Sequence, residues 1–423
     1  MPTPAQPVRA KKSAHAAALG GLLLCLAFAY LLFHSLAGGT LLSPNPYDSY
    51  TLQAVNWLQG RLDIAHGETY AWLELALYKG RYYQSFPPVP AAVLLPLAAV
   101  FGTNAPSNLV IALFGLLCAA GVYVCFAQRG FSASWCAFFA LFVTMGSNFF
   151  WLSTAGDVWF LAQVFGLCFA VWGIALAADG RAPQTAGASL CFGLAVGCRP
   201  FFALLAVCWL ASLPQTRRAP PRPCLVLAAL VPLTAAGLAM AAYNAVRFGN
   251  PLEFGHSYLP EFTRAANGQF SLRYLPANLL GLLRPVTLNG DASLRFPLFN
   301  GFLPFAANPL FALWAADAAA ARRRPRACPA PQSEAPAAAV FPFPRSGWLL
   351  LGGCLLVLLA TCAHKTMGGW QFGARYTVDL LVWPLLWYLG RGPQSKRPGA
   401  AAHTLLGLAV LFNLYGAVFM LKA

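Results

Sequence analysis

The chain has 423 residues, of which 59% are hydrophobic and only 9% charged, with a formal net charge of +16. Soluble domains carry about 25% charged residues, so the composition excludes a soluble enzyme. Apolar runs of about 20 residues recur along the length, which marks an all-α polytopic membrane protein. The positive charge does not point to nucleic acid, because it gathers in short gaps between apolar runs, "QTRRAPPRP", "RRRPRACP" and "GRGPQSKRP". That is the pattern that sets membrane orientation.

The first apolar run, near 16–37, follows Arg9, Lys11 and Lys12. It is longer than the core of a secretory signal and reads as a retained helix with its N-terminus in the cytoplasm. Further spans are predicted near 106–127, 134–153, 158–178, 225–245, 297–316, 347–363, 377–390 and 404–421, for a total of about 9–11 transmembrane helices. The run "ASLCFGLAVGCRPFFALLAVCWLASLP" would carry the following basic gap to the wrong side if it crossed once. Two half-spans meeting at Arg199-Pro200 keep the charge rule, since proline disfavours helix at the residue before it. Broken helices also persist where they line a cavity. The twelve cysteines lie in apolar runs or basic gaps and form no CxxC pair, so they read as packing residues.

This topology leaves outer segments at about 38–105, 246–296 and 364–376. Eight of the twelve acidic residues fall outside: Asp48, Asp63, Glu68, Glu74, Asp157, Glu253, Glu261 and Asp291. In the first outer segment, "DSYTLQAVNWLQGRL" spaces its apolar residues as a short surface helix, with Asp48 at the N-cap and Gly60 at the stop. "LALYKGRYYQSF" reads as a hairpin turning at Lys79-Gly80. "FPPVPAAVLLPLAAVFG" is too short and too proline-rich to span, and reads as an interfacial or re-entrant helix. No internal repeat is evident. The whole chain reads as one integral-membrane domain.

Several pieces share an order along the chain: Asp48 soon after the first span, "SFPPVPAAVLLPL", "STAGDVWF" with Asp157, "GLAVGCRPFFALL", "YNAVRFGNPLEFGHSY" and "GGWQFGARYTVDLLVWPLL". In this the chain resembles the integral-membrane glycosyltransferases of the C-type fold, which include protein O-mannosyltransferases and lipid A aminoarabinose transferases. The resemblance implies transfer of a sugar from a polyprenyl-phosphate donor at the outer face of a bacterial plasma membrane. The acceptor would be an envelope glycan, lipid or protein. Three departures stand out. Ser49 follows Asp48 where many members have a second acid, Ser85 and Phe86 replace an acid or histidine near the proline pair, and no large soluble C-terminal domain follows.

Such a reaction needs a carboxylate to take the acceptor's proton and cations to meet the charge growing on the leaving phosphate. Asp48 and Asp157 are the expected catalytic carboxylates, each equally suited to cap a helix. Arg199 sits within an apolar run, where an arginine costs about 2.5–3.5 kcal/mol, and so needs a phosphate, an acid or a carbonyl as partner. Arg375 offers a planar fork matched to phosphate. Trp370, Arg247, Glu74 and Tyr50 complete the expected substrate-binding set. A divalent metal ion is the one cofactor considered, with Glu253 and His256 as ligands. The other reading is a transporter or flippase of lipid-linked sugars, which has less need of a long structured outer loop.

Overall fold

A computed structural model describes residues 6–70, 75–213, 223–290, 293–323, 343–344, 346–393, 395 and 397–422. The chain opens with α1 (Gln6–Leu36) and then the first loop, which holds α2 (Ser49–Leu58), the hairpin β1 (Leu75–Tyr78) and β2 (Arg81–Gln84), and α3 (Val89–Phe101). The helical body continues through α4 (Ser107–Gln128), α5 (Ala133–Thr144), the single turn α6 (Phe149–Leu152), α7 (Val158–Ala177), α8 (Ala182–Val196), α9 (Ala203–Ser212) and α10 (Pro223–Phe248). The second long loop holds α11 (Pro260–Thr263), α12 (Leu275–Gly281) and the two-residue strands β3 (Thr287–Leu288) and β4 (Leu294–Arg295). Last come α13 (Pro304–Ala307), α14 (Leu310–Arg323), α15 (Gly347–Cys362), α16 (Val382–Arg391) and α17 (Ala400–Phe419).

Among the described residues, five helices are long and apolar enough to cross a membrane: Lys12–Leu36 of α1, α4, α7, α10 and α17. Those of α3, α5, α9, α14 and α15 are apolar but shorter. This is a multi-pass, all-α membrane protein. Helix α7 lies at its centre, almost wholly buried, and packs on α4, α8 and α16. Aromatic rings fill the core around it, among them Phe114 against Phe165 and Phe126 stacked on Phe139.

The broken run at Arg199-Pro200 folds back on itself. Arg199 is extended (φ −143°, ψ 107°) and a 3-10 turn, Pro200–Phe202, separates α8 from α9. The Phe192 and Trp209 rings lie 5.0 Å apart, whereas in one continuous helix they would stand about 25 Å apart. The two half-spans therefore form a hairpin with Arg199 at its tip. The β1–β2 hairpin also forms where the sequence puts it, with Lys79 and Gly80 both at positive φ in the turn.

Three expected spans are corrected, among them 377–390, which begins as a 3-10 helix, Arg375–Leu381, and turns α-helical only at Val382. The segment 297–316 is not one helix: α13 ends at Ala307, and Pro309 keeps the preceding Asn308 out of helical geometry before α14 begins. The segment 134–153 divides at 145–148, where the Ser147 hydroxyl donates to Val143 O and accepts from Phe149 N, ending α5 and restarting the chain in α6.

The starts of α4 and α7 meet backbone to backbone. Asn108 Oδ1 accepts from Gly156 N at 2.7 Å, and a Cβ on Gly156 would lie 2.4 Å from the Ser107 carbonyl carbon. No side chain fits there without parting the two helices. Gly156→Ala is expected to destabilise the protein by about 1–3 kcal/mol through overpacking, read as a lowered unfolding temperature in detergent. An unchanged unfolding temperature would show that this junction is looser than described.

Candidate functional site

Two carboxylates are brought together by helix capping. Asp48 caps α2, its Oδ1 accepting from Thr51 N at 3.0 Å and its Oδ2 from the Thr51 hydroxyl. Asp157 caps α7, accepting from Phe160 N at 2.9 Å. The cap sites are stitched to each other: Val158 N donates to Tyr47 O at 3.0 Å, and Asn45 N donates to the Ser107 hydroxyl beside Gly156. Only 5% of Asp48 and 7% of Asp157 is exposed. Burial is the dominant influence on both. It pushes Asp48 up to about 6 against the hydrogen bonds from Thr51. Asp157 rises to about 7, with the Phe160 N–H and the charge of Arg375 opposing and the charge of Asp48 adding to the rise.

Arg199 finds its counter-ion in Asp379, a residue in the segment that leads into α16. Nε and Nη2 of Arg199 donate to Asp379 Oδ2 at 3.0 and 2.8 Å. This pair joins the tip of the half-span hairpin to a segment 180 positions away. The Tyr376 ring adds a second contact, its centroid 5.0 Å from the Arg199 guanidinium.

Arg375 is differently placed. It is buried, donates through Nε to Gly368 O at 3.1 Å and through Nη1 to Gln163 Oε1 at 3.2 Å, and lies 4.8 Å from the Tyr376 ring centroid. Among the described residues no carboxylate comes within ion-pair distance of it. Burial lowers its pKa, and Arg199 repels it, while Asp157 and Asp379 act only from further off. The segment Gly368–Arg375 is shaped around this side chain. Gly368 has φ of 102°, and a Cβ there would lie 2.5 Å from Arg375 Nε, so glycine is required on both counts.

Arg199, Arg375 and Tyr376 line one cleft of about 330 Å3. Its apolar part comes from Phe86, Pro87, Trp159, Phe201, Leu252 and Phe254, and His256, Gln269 and His364 add neutral polar groups. Burial lowers both histidines to about 4. Asp48 and Asp157 stand behind its wall. Trp159 lies two residues past Asp157, and Phe86 faces Tyr50, two residues past Asp48, at 6.3 Å. A larger depression of about 720 Å3 lies over the first loop, lined by Arg61, Asp63, His66, Arg81 and Arg247 among others. Arg61 is already paired with Asp63 there at 2.7 Å, and Arg247 is buried with Gln84 O and Asn244 Oδ1 as its partners, while the smaller cleft holds Arg199, already paired with Asp379, and Arg375.

The other expected site residues are distributed as follows. Tyr50 is fully buried behind the cleft, against Phe86, and among the described residues its hydroxyl has no hydrogen-bond partner. Trp370 packs on Trp151 outside the cleft wall. Arg247 does not join Arg199 and Arg375. It ends α10, donates to Gln84 O at 2.6 Å and to Asn244 Oδ1 at 3.0 Å, and borders the larger depression. Glu74 and Asp291 lie outside the described residues.

The residues expected to hold a metal do not assemble a site for one. Both oxygens of Glu253 are occupied by its own loop, by Gly255 N and the Ser257 hydroxyl, and His256 Nδ1 is bonded to Ser85 O. Among the described residues no three His, Cys, Asp or Glu side chains gather. Sequence reasoning missed Asp379 and Gln163. Asp379 had a signal, being the one acid inside the apolar run "TVDLLVWPLL", where a charge needs a partner. Gln163 had none.

No family model matches the chain, and no curated protein matches it in sequence. Among solved structures, the apo form of the oligosaccharyltransferase of Archaeoglobus fulgidus is similar over 97% of this chain and 56% of its own, with a TM-score of 0.53 and 16% identity. The same archaeal enzyme in complex with an inhibitory peptide and a dolichol-phosphate matches at a TM-score of 0.49 and 14% identity, over 97% of this chain and 56% of its own. ArnT from Cupriavidus metallidurans bound to undecaprenyl phosphate matches at 0.46 and 15%, over 86% and 59%. The chain thus spans little more than half the length of these proteins. At this level of identity the likeness is one of fold: the chain has the C-type glycosyltransferase fold that its motifs imply.

Proposed function

We propose that the protein is a membrane glycosyltransferase that moves a sugar from a polyprenyl-phosphate donor to a hydroxyl acceptor. The observation that carries this reading is Arg375, a buried cation that lines the cleft beside Arg199 and has, among the described residues, no carboxylate in ion-pair reach. A buried charge without a partner is costly, and a lipid phosphate supplies both the missing anion and an apolar chain for the cleft. Arg199, fixed by Asp379, adds a second fork. The fold is consistent with this chemistry.

In the proposed step the acceptor oxygen attacks the anomeric carbon. The bond from that carbon to the phosphate oxygen breaks and its electron pair stays on the phosphate, where Arg375 and Arg199 meet the charge. The acceptor proton goes to Asp48, with Asp157 adjoining, and a single displacement inverts the anomeric centre. Orientation follows from charge. The short connections at the end of the bundle away from the cleft carry Arg129 and Arg181, and Arg391 and Arg397 lie there too. By the positive-inside rule that end is cytoplasmic, so the cleft opens on the outer face; the resemblance adds a bacterial plasma membrane and an envelope glycan, lipid or protein as acceptor.

Three outcomes are expected. Asp48→Asn lowers transfer by about 10²–10⁴, yet leaves the unfolding temperature nearly unchanged because asparagine caps a helix as well as aspartate does. A normal rate in that variant removes Asp48 from the mechanism. Because the Asp48 carboxyl is raised to about 6, kcat/KM falls as pH drops through about 6, tenfold per unit in the acid limb. A flat profile between pH 5 and 7 contradicts a base of this pKa. Arg375→Met weakens binding of undecaprenyl phosphate by about ten- to a hundredfold, the range for a lost charge-assisted hydrogen bond, while undiminished binding rules the residue out as the phosphate contact.

A further inference from the structure

The loop after α10 lines the cleft with Glu253, Phe254, His256 and Ser257, and its construction around His256 is specific. Glu253 uses both carboxylate oxygens to brace the loop, accepting from Gly255 N at 2.6 Å and from the Ser257 hydroxyl at 2.7 Å. Gly255, at φ of 100°, lets the chain turn tightly against the Phe248 ring and the Ser85 backbone. The His256 ring that follows is held edge-on by Phe86 at 4.7 Å and face-on by Phe262 at 5.7 Å. Its Nδ1 meets the Ser85 carbonyl. A carbonyl only accepts, so Nδ1 carries the proton and Nε2 keeps a lone pair. No described residue bonds Nε2, and His256 lines the cleft.

We propose that His256 holds the sugar of the donor, its Nε2 accepting a hydrogen bond from a hydroxyl of the transferred ring. This rests on the glycosyl-transfer reading and names the part of the donor that this wall recognises. The argument is one of donors and acceptors. A phosphodiester at neutral pH has only acceptor oxygens and a prenyl chain has neither kind of group, so the sugar hydroxyls are the only hydrogen-bond donors such a ligand offers. A fixed lone pair is therefore useless to the lipid and the phosphate and complementary to the sugar. Burial keeps the imidazole neutral at physiological pH, which preserves that lone pair. The cleft then divides by chemistry: forks for the phosphate at Arg199 and Arg375, an acceptor for the sugar at His256.

The test compares two kinds of lipid on the purified full-length protein. One is undecaprenyl phosphate; the other is a set of its glycosides bearing mannose, glucose, galactose or arabinose. His256→Asn keeps a donor where Nδ1 stood, and so keeps the Ser85 bond, but places nothing at Nε2. It is expected to weaken binding of the preferred glycoside about three- to tenfold, the range for one net hydrogen bond, and to leave undecaprenyl phosphate unchanged. His256→Gln, which puts an amide oxygen near the Nε2 position, is expected to restore most of the loss. Equal weakening of both lipids by His256→Asn, or no weakening of the glycoside, overturns the assignment. If the wild-type protein binds neither lipid, the glycosyl-transfer reading itself falls, and the role of His256 with it.

Discussion

The pairing of Arg199 with Asp379 is the constraint on which the rest of this architecture depends. An arginine at the tip of a buried half-span hairpin must have an anion, because removing one partner of a buried pair costs about 3–5 kcal/mol. The anion comes from the far end of the sequence, and meeting it draws the segment before α16 against the hairpin tip. That same segment carries Arg375 at its start, so the fold's own ion pair delivers a second guanidinium into the cleft. Once Asp379 is committed to Arg199, Arg375 has only carbonyl and amide oxygens for company. The electrostatic imbalance at the site follows from how the fold is closed.

Capping works in the same double way on the acidic side. Asp48 and Asp157 each satisfy a helix N-terminus, and the hydrogen bond from Val158 N to Tyr47 O ties those two termini together. Two carboxylates drawn out of water side by side hold their protons more tightly than in solution. Groups serving structure are thereby given a reactivity they would lack on a surface. A site built this way couples function to packing, and changes that loosen the α4–α7 junction also move the acids.

Much of the local structure was legible because its causes are local. Asp48 and Gly60 bracket α2, Lys79-Gly80 turns the hairpin, and Pro200 breaks the helix after Arg199, all from signals within a few residues. What lay hidden was long-range pairing. Asp379 stands 180 positions from Arg199 inside an apolar run that reads as an ordinary span, and periodicity carries no information about partners at that distance. Arg247 belongs to the substrate-binding set that the sequence suggests, because its loop lies in the outer segment with the other candidates. It sits on the last turn of α10, where its guanidinium reaches Gln84 and away from the cleft. The span expected at 297–316 failed for a related reason. Its apolar residues pack against other parts of the protein, Phe302 against Phe372 and Phe412, and a buried loop looks as apolar as a helix.

The central claim is that the two-arginine cleft receives a lipid phosphate. The most direct measurement is a structure of the full-length protein in a lipid nanodisc with undecaprenyl phosphate bound. The account predicts the phosphate within hydrogen-bond distance of both Arg375 and Arg199, with the prenyl chain leaving past Phe86 and Phe201. A phosphate seated instead in the larger depression beside Arg61 and Arg81, or held by neither cleft arginine, would contradict it.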